Sequence, residues 1–346
     1  MSYRPKHLKL PEDDVLPKDD AKGVLPYVFT EAIAIAVDVA LATERPLLVS
    51  GNPGCGKSRL ADAIAEVQQW SLLSRTITSR TRLEHLTAEV DQLRRLNDAQ
   101  AARLDSAGRD GEAAARRPDG YYLNPGIFWW AFDPEGARRR GLPRGEAGAP
   151  DVDLAYPGVQ RQPSGSRGSR PGTVLLIDEI DKAEPDLPND LLEPLDRRRF
   201  DLPDGFFAHR DDAAQTAIAA PAPEQLRLLT VITTNGEREL PQAFLRRCVL
   251  LEIPDPSRQE LVGIAMQHFP AGDRDRVDAI AEVLEAFRQR AEKERVRPPG
   301  TAELLDAVRA CEELEIPVTP QDPESVWSHI ERAVLAKDAA LRPKAR

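Results

Sequence analysis

The stretch Gly51-Asn52-Pro53-Gly54-Cys55-Gly56-Lys57-Ser58 constrains the fold more tightly than anything else in this chain. It fits G-x-x-x-x-G-K-[ST], a pattern that carries meaning only between a strand and a helix. Both flanks are there. Pro46, Leu47, Leu48 and Val49 form a short apolar run with the character of a buried strand, and residues 58–69 have helical spacing. In that context Gly51, Gly54 and Gly56 let the backbone wrap with its N–H groups inward, and the following helix adds the positive end of its dipole. Lys57 is then expected to reach the β- and γ-phosphates of a nucleotide, and the Ser58 hydroxyl to ligate Mg2+. With Arg59, the next residue, this segment is the candidate nucleotide-binding stretch. Cys55 reads as a small loop filler rather than a nucleophile.

A second constraint comes from the continuously apolar run Thr173-Val174-Leu175-Leu176-Ile177, which ends in Asp178-Glu179. Open α/β sheets bind ligands at the carboxyl ends of their strands, so this acidic pair emerges where a phosphate-bound metal would sit. Asp178 suits Mg2+, and Glu179 suits the orientation and polarisation of an attacking water. Without the glycine loop, the pair would read as solvated loop charge. Asp181 and Lys182 read as the start of the next helix. A third apolar run, 228–233, leads into Thr234-Asn235-Gly236, where Asn235 is a candidate to hydrogen-bond γ-phosphate and water; Asn-Gly is also an everyday turn.

Residues 249–253 give a further strand, and 75–78 another. Strands separated by helical stretches imply a parallel sheet covered on both faces. From 257 onward the pattern is helical, with expected helices over 258–268, 275–292, 301–313 and 325–340. The fold class is therefore an α/β phosphate-loop domain over 26–255 followed by a smaller all-helical domain over 256–346. Residues 1–25 read as a mobile leader punctuated by Pro5, Pro11 and Pro17. Residues 87–107 read as an exposed amphipathic helix, and 143–172, loaded with Gly, Pro, Ser and Arg, as a disordered insertion. The aromatic cluster Tyr121, Tyr122, Phe128, Trp129, Trp130 and Phe132 reads as core packing.

At 346 residues the chain has room for one large domain and a satellite. A net charge of −10 argues against a protein that coats nucleic-acid duplex, which needs clustered cations. Cys55, Cys248 and Cys311 are too scattered for a metal pair or a disulfide framework. No apolar run approaches a bilayer span, and 1–22 lack the apolar core of a signal peptide, so a cytoplasmic setting without membrane contact is expected.

With these strands in order, the chain resembles the AAA+ ATPases, and within them the MoxR-like and dynein-related branch, over most of residues 26–340. The phosphate loop and acidic pair carry the resemblance, joined by Ile232-Thr233-Thr234-Asn235-Gly236 and by Ala243-Phe244-Leu245-Arg246-Arg247-Cys248. The resemblance implies ATP with Mg2+, Asn235 as first sensor, a helical lid and a homo-oligomeric ring, usually a hexamer. By motif position Arg247 matches the finger that reaches a neighbour's nucleotide, ahead of Arg246, which stands where relatives often carry aspartate. Thr301 and Ala302 depart from the basic residue that relatives place at the second-sensor helix, leaving Arg297 nearby. A hairpin over 197–207 would line a pore or touch partners in relatives, or be an ordinary surface hairpin.

The resemblance implies a ring that remodels or activates a protein partner. The alternative is the motor or switch subunit of a nucleic-acid-directed defence or restriction complex like the McrB group, with GTP as well as ATP open as its nucleotide. A small-molecule kinase is a third reading, opposed by Glu179 and the arginine segment.

Overall fold

Five of the apolar segments lie side by side in one parallel sheet. The structure is a computed structural model that describes residues 3–21, 23–108, 119–142, 154–161, 172–203, 217–222, 225–319, 322 and 324–341. Its main sheet comprises β1 (Leu47–Ser50), β2 (Ser71–Thr76), β3 (Val159–Arg161), β4 (Gly172–Asp178), β5 (Arg227–Thr234) and β6 (Val249–Glu252). The strand order is β6-β1-β5-β4-β2-β3. All neighbours are parallel except β2 and β3.

The twofold alternation of strand side chains divides the apolar residues between two cores. Leu48, Leu73, Leu175, Ile177 and Ile232 face one side, against the aromatic cluster. Leu47, Val49, Leu72, Val174, Leu176 and Val231 face the other, against α1 (Glu31–Thr43) and α2 (Lys57–Gln68). Central β4 is buried on both faces, which is why its sequence is an unbroken apolar run rather than an alternating one. The aromatic residues on α3 (Ile127–Phe132), which α4 (Pro134–Arg138) follows, are core: Phe128 and Trp129 have no exposed surface.

The helical region packs around its own centre. There α5 (Arg258–His268), α6 (Arg274–Glu294) and α7 (Thr301–Glu313) enclose Leu261, Ile280, Leu284, Leu304 and Trp327. Helix α5 opens with a full capping box, Ser257 and Glu260 bonding each other's backbone N–H. The expected helix over 325–340 stops early: Val326–Ile330 is helical and Glu331–Leu335 widens into a π turn around buried Trp327 and Leu335.

Other expectations are also corrected. Residues 3–21 are not a mobile leader. Leu8 and Leu16 are buried, Val15–Leu16 pairs with Tyr27–Val28, and the Asp38 carboxylate of α1 accepts N–H groups from Lys6, His7 and Leu8 at 2.6–2.9 Å. Pro5, Pro11 and Pro17 do not prevent that packing. Second, within the supposed insertion 143–172, residues 154–161 fold back so that β3 closes the sheet edge. Tyr156 is buried there and donates to the Ser74 carbonyl, while 143–153 and 162–171 lie outside the described residues. Third, the strand expected at 75–78 runs Ser71–Thr76, because the helix before it ends at a left-handed Gln69 and the chain enters the sheet at once. Helix 87–107 begins at Gln92, since Ala88–Val90 pairs with Leu123–Pro125. Of the hairpin read over 197–207, Arg199–Asp201 pairs with Ala217–Ala219; 204–216 lie outside the described residues.

Candidate nucleotide site

Register brings the sequence motifs to one edge. Thr234 aligns with Ser50, Ile232 with Ile177 and Thr76 with Asp178, so β1, β5 and β4 finish almost flush. The glycine loop, Asn235 and the acidic pair therefore leave the same end of the sheet. Because β5 lies between β1 and β4, any contact between loop and acidic pair must pass over its last residues.

The loop is shaped by its glycines. Gly56 stands at φ 98° just ahead of α2, a conformation that a side chain resists. At Gly51 a Cβ would come within 2.5 Å of the Ile253 carbonyl oxygen. Lys57, only 7 % exposed, folds its ammonium into the loop and donates to the carbonyls of Gly51 and Asn52 at 2.8 and 3.0 Å. Asn52 is exposed and donates to Asp255 Oδ2 at 2.7 Å, and Pro53 accepts from Arg297 at 3.4 Å. Arg59 points away from the loop, toward Asp62 and the Leu25 carbonyl. Burial pushes the Cys55 thiol up, against the pull of Lys57, which fits a filler and not a nucleophile.

Four polar atoms tie loop to acidic pair. The Ser58 hydroxyl donates to Asp178 Oδ1 at 2.8 Å. Thr233, 1 % exposed on the intervening strand, donates to the same oxygen at 2.6 Å and accepts the Glu179 N–H at 2.9 Å. That last bond holds Glu179 in a left-handed conformation, φ 61°, which costs a non-glycine residue roughly 1–2 kcal/mol. The Glu179 carboxylate pairs with Lys182 at 2.7 Å, and that hydrogen bond holds the Lys182 ammonium above its ordinary pKa. Sequence reasoning missed Thr233. It is one of three threonines on β5, and only the strand register singles it out.

The donor set fits magnesium. Ser58 Oγ and Asp178 Oδ1 are hard oxygens already in contact beside the glycine loop, and Mg2+ takes such oxygens with water and phosphate completing its shell.

The family comparison matches residues 46–248 to the AAA domain of the dynein-related subfamily. This chain is an AAA+ ATPase. The match covers more than half its length and spans every strand of the sheet except β6, which begins at Val249. A search of curated proteins finds no match.

In this AAA+ chain the remaining candidates divide by position. Asn235 follows β5 at the site edge, half-buried, with its backbone N–H held by Asp181 at 3.1 Å. Arg246 and Arg247 do not join it. Both are exposed at the opposite end of the sheet, because β6 runs parallel to β1 and starts beside Leu47 rather than Ser50. Arg247 pairs there with Asp196 and donates to the Ala243 carbonyl. Helix α7 presents its first turn to the loop: a Cβ on Gly300 would lie 3.0 Å from the Pro53 carbonyl oxygen. The residue buried there is acidic. Glu303 caps Gly300 and meets Arg297 and Lys337, each at 3.5 Å. Lys337 was not legible as a neighbour of this site because it lies 280 residues from the loop in sequence. Among the described residues no helix is long and apolar enough to cross a membrane.

Proposed function

We propose that this chain is a MoxR-like AAA+ machine that hydrolyses ATP with Mg2+ in an oligomeric ring and uses the cycle to remodel or activate a protein partner. The observation that carries the reading is the chain of contacts from Ser58 to Asp178 and, through the Thr233 hydroxyl, to Glu179, which joins the loop to the acidic pair. Lys57 would exchange its loop carbonyls for the β- and γ-phosphates. Ser58 and Asp178 would hold the metal, whose charge neutralises the phosphate oxygens. Glu179, released from Lys182, would take a proton from water as that water attacks the γ-phosphorus and the bond to ADP breaks. Asn235 would fix the water and the γ-phosphate from the adjoining strand.

The arginines support a ring. At the far end of the sheet, Arg247 cannot serve the loop of its own chain, and an exposed pair such as Arg247 with Asp196 is worth little to stability. Supplied across an interface, a guanidinium contributes on the order of 10³–10⁵ in rate. A net charge of −10 favours a protein client over nucleic acid.

The test combines Glu179→Gln with stimulation assays. Proteins retained by the triphosphate-trapped Glu179→Gln form are added back to wild-type chain, and ATP and GTP turnover are compared with and without them and with DNA. Stimulation of ATP turnover by a retained protein supports the reading. Stimulation by DNA alone, or preference for GTP, replaces it with the motor or switch subunit of a nucleic-acid-directed complex.

A further inference from the structure

Asp181 sits two residues past Glu179 on the short turn Ile180–Lys182 and is 2 % exposed. Its Oδ2 accepts two backbone N–H groups from across the site, those of Asn235 at 3.1 Å and Glu237 at 3.0 Å. Its Oδ1 is buried and, among the described residues, has no hydrogen-bond partner. For stability alone this is a poor arrangement, since a half-satisfied buried carboxylate contributes less than an apolar side chain of the same size.

Among the described residues, the loop it grips has little else to hold it. Gly236 takes a left-handed conformation, and its N–H reaches back to Thr234 at 3.0 Å; Arg238 donates to the Ala183 carbonyl at 2.9 Å. Beside the loop lies a cavity of about 360 Å³, lined in part by Asp181, Arg238, Leu240 and Pro241. Residues 235–239 are thus held by a few polar ties rather than by packing. Of those ties, Asp181 alone reaches the Asn235 backbone itself.

We infer that Asp181 is a positioning residue for hydrolysis: its carboxylate locks the loop after β5 to the turn after β4, so that Asn235 and Glu179 keep one fixed spacing. The inference rests on the role proposed above for Asn235. It explains why an ionisable group is buried between two segments that each carry a reacting contact. Small displacements of such contacts are costly to rate, because hydrolysis needs water and γ-phosphate aligned together.

The test is a double-mutant cycle on the full chain, with kcat and KM for ATP measured at saturating Mg2+ for Asp181→Asn, Asp181→Ala, Asn235→Ala and the Asp181→Ala/Asn235→Ala pair. Amide hydrogen exchange at 235 and 237 is followed in parallel. A positioning role predicts that Asp181→Ala lowers kcat about tenfold with KM changed less than about threefold. Asp181→Asn, which keeps an acceptor oxygen, retains at least about half of kcat, and the double variant falls no more than about twofold below Asn235→Ala. Faster exchange at 235 and 237 accompanies Asp181→Ala. The inference is overturned if Asp181→Ala costs as much in the Asn235→Ala background as in wild type, or leaves kcat untouched where Asn235→Ala impairs it. If Asn235→Ala turns over at the full rate, the role of Asn235 itself fails and takes this inference with it. Should Asp181→Ala not fold, Asp181→Ser, whose hydroxyl is too short to span both amides, enters the cycle under the same criteria.

Discussion

Lys57 is held by the loop it belongs to, its ammonium satisfied by two carbonyls of the same turn. Phosphate oxygens offer that ammonium a better partner, because charge-assisted hydrogen bonds are about twice as strong as bonds to neutral carbonyls. Lys57→Ala should therefore lose nucleotide binding or turnover, with hydrolysis down by on the order of 10² or more, measured by phosphate release and by nucleotide titration. Glu179→Gln separates binding from chemistry. It should bind ATP within about threefold of wild type while turnover falls by about 10²–10⁴, the range for loss of a general base. Normal turnover by Glu179→Gln would remove the water-activating role. Lys57, Asp178 and Glu179 were legible in sequence because a motif and its flanks fix them. Thr233 and Asp181 were not, since each works through partners more than 50 residues away.

At the scale of elements, the N-terminal segment shows how one buried polar group organises a stretch that composition marks as loose. Asp38 interrupts the apolar face of α1, 4 % exposed. Burial pushes its carboxyl up, but hydrogen bonds from the Lys6, Leu8 and His7 backbone and from the Tyr3 hydroxyl outweigh it and hold the carboxyl below its ordinary value. Asp38→Ala leaves three backbone N–H groups without their acceptor, so unfolding should require about 2–4 kcal/mol less, read from the urea midpoint. The signal was in the sequence as a lone aspartate among Ala, Ile and Val, but its partners could not be named without the fold.

Helix α5 carries a second titratable contact. Burial first, then the charges of Arg59, Arg309 and Lys18, push the His268 imidazole from 6.5 down to about 4. Between those values the unfolded chain takes up a proton that the folded chain refuses. Stability contributed by neutral His268 is complete above pH 6.5 and is lost as pH falls toward 4. The urea midpoint of His268→Gln should decline less across that window than that of wild type, and equal slopes would remove His268 as the cause.

For the whole molecule the decisive fact is that the candidate site is divided. Loop, acidic pair and Asn235 share the carboxyl end of the sheet, while Arg246 and Arg247 stand at the opposite end. If a neighbour supplies the guanidinium, Arg247→Ala has an intact loop and Lys57→Ala an intact arginine. Mixed, the two inactive variants should recover a fraction of ATP turnover that peaks near equal amounts. Flat, background turnover at every ratio would count against an arginine acting in trans.

The sequence by itself determined the phosphate loop, the acidic pair, the parallel sheet and the separate helical region, because each is set by local spacing: glycines at fixed offsets, apolar runs of strand length and helical periodicity. It misjudged 3–21 and 154–161, where polar, proline-rich chain is ordered by a buried carboxylate and by an open sheet edge. Only the tertiary structure decided which hydroxyl joins the loop to the acidic pair, which carboxylate grips the Asn235 loop and on which side of the sheet the arginines fall. Those are relations between strands far apart in the chain, and register, not composition, sets them.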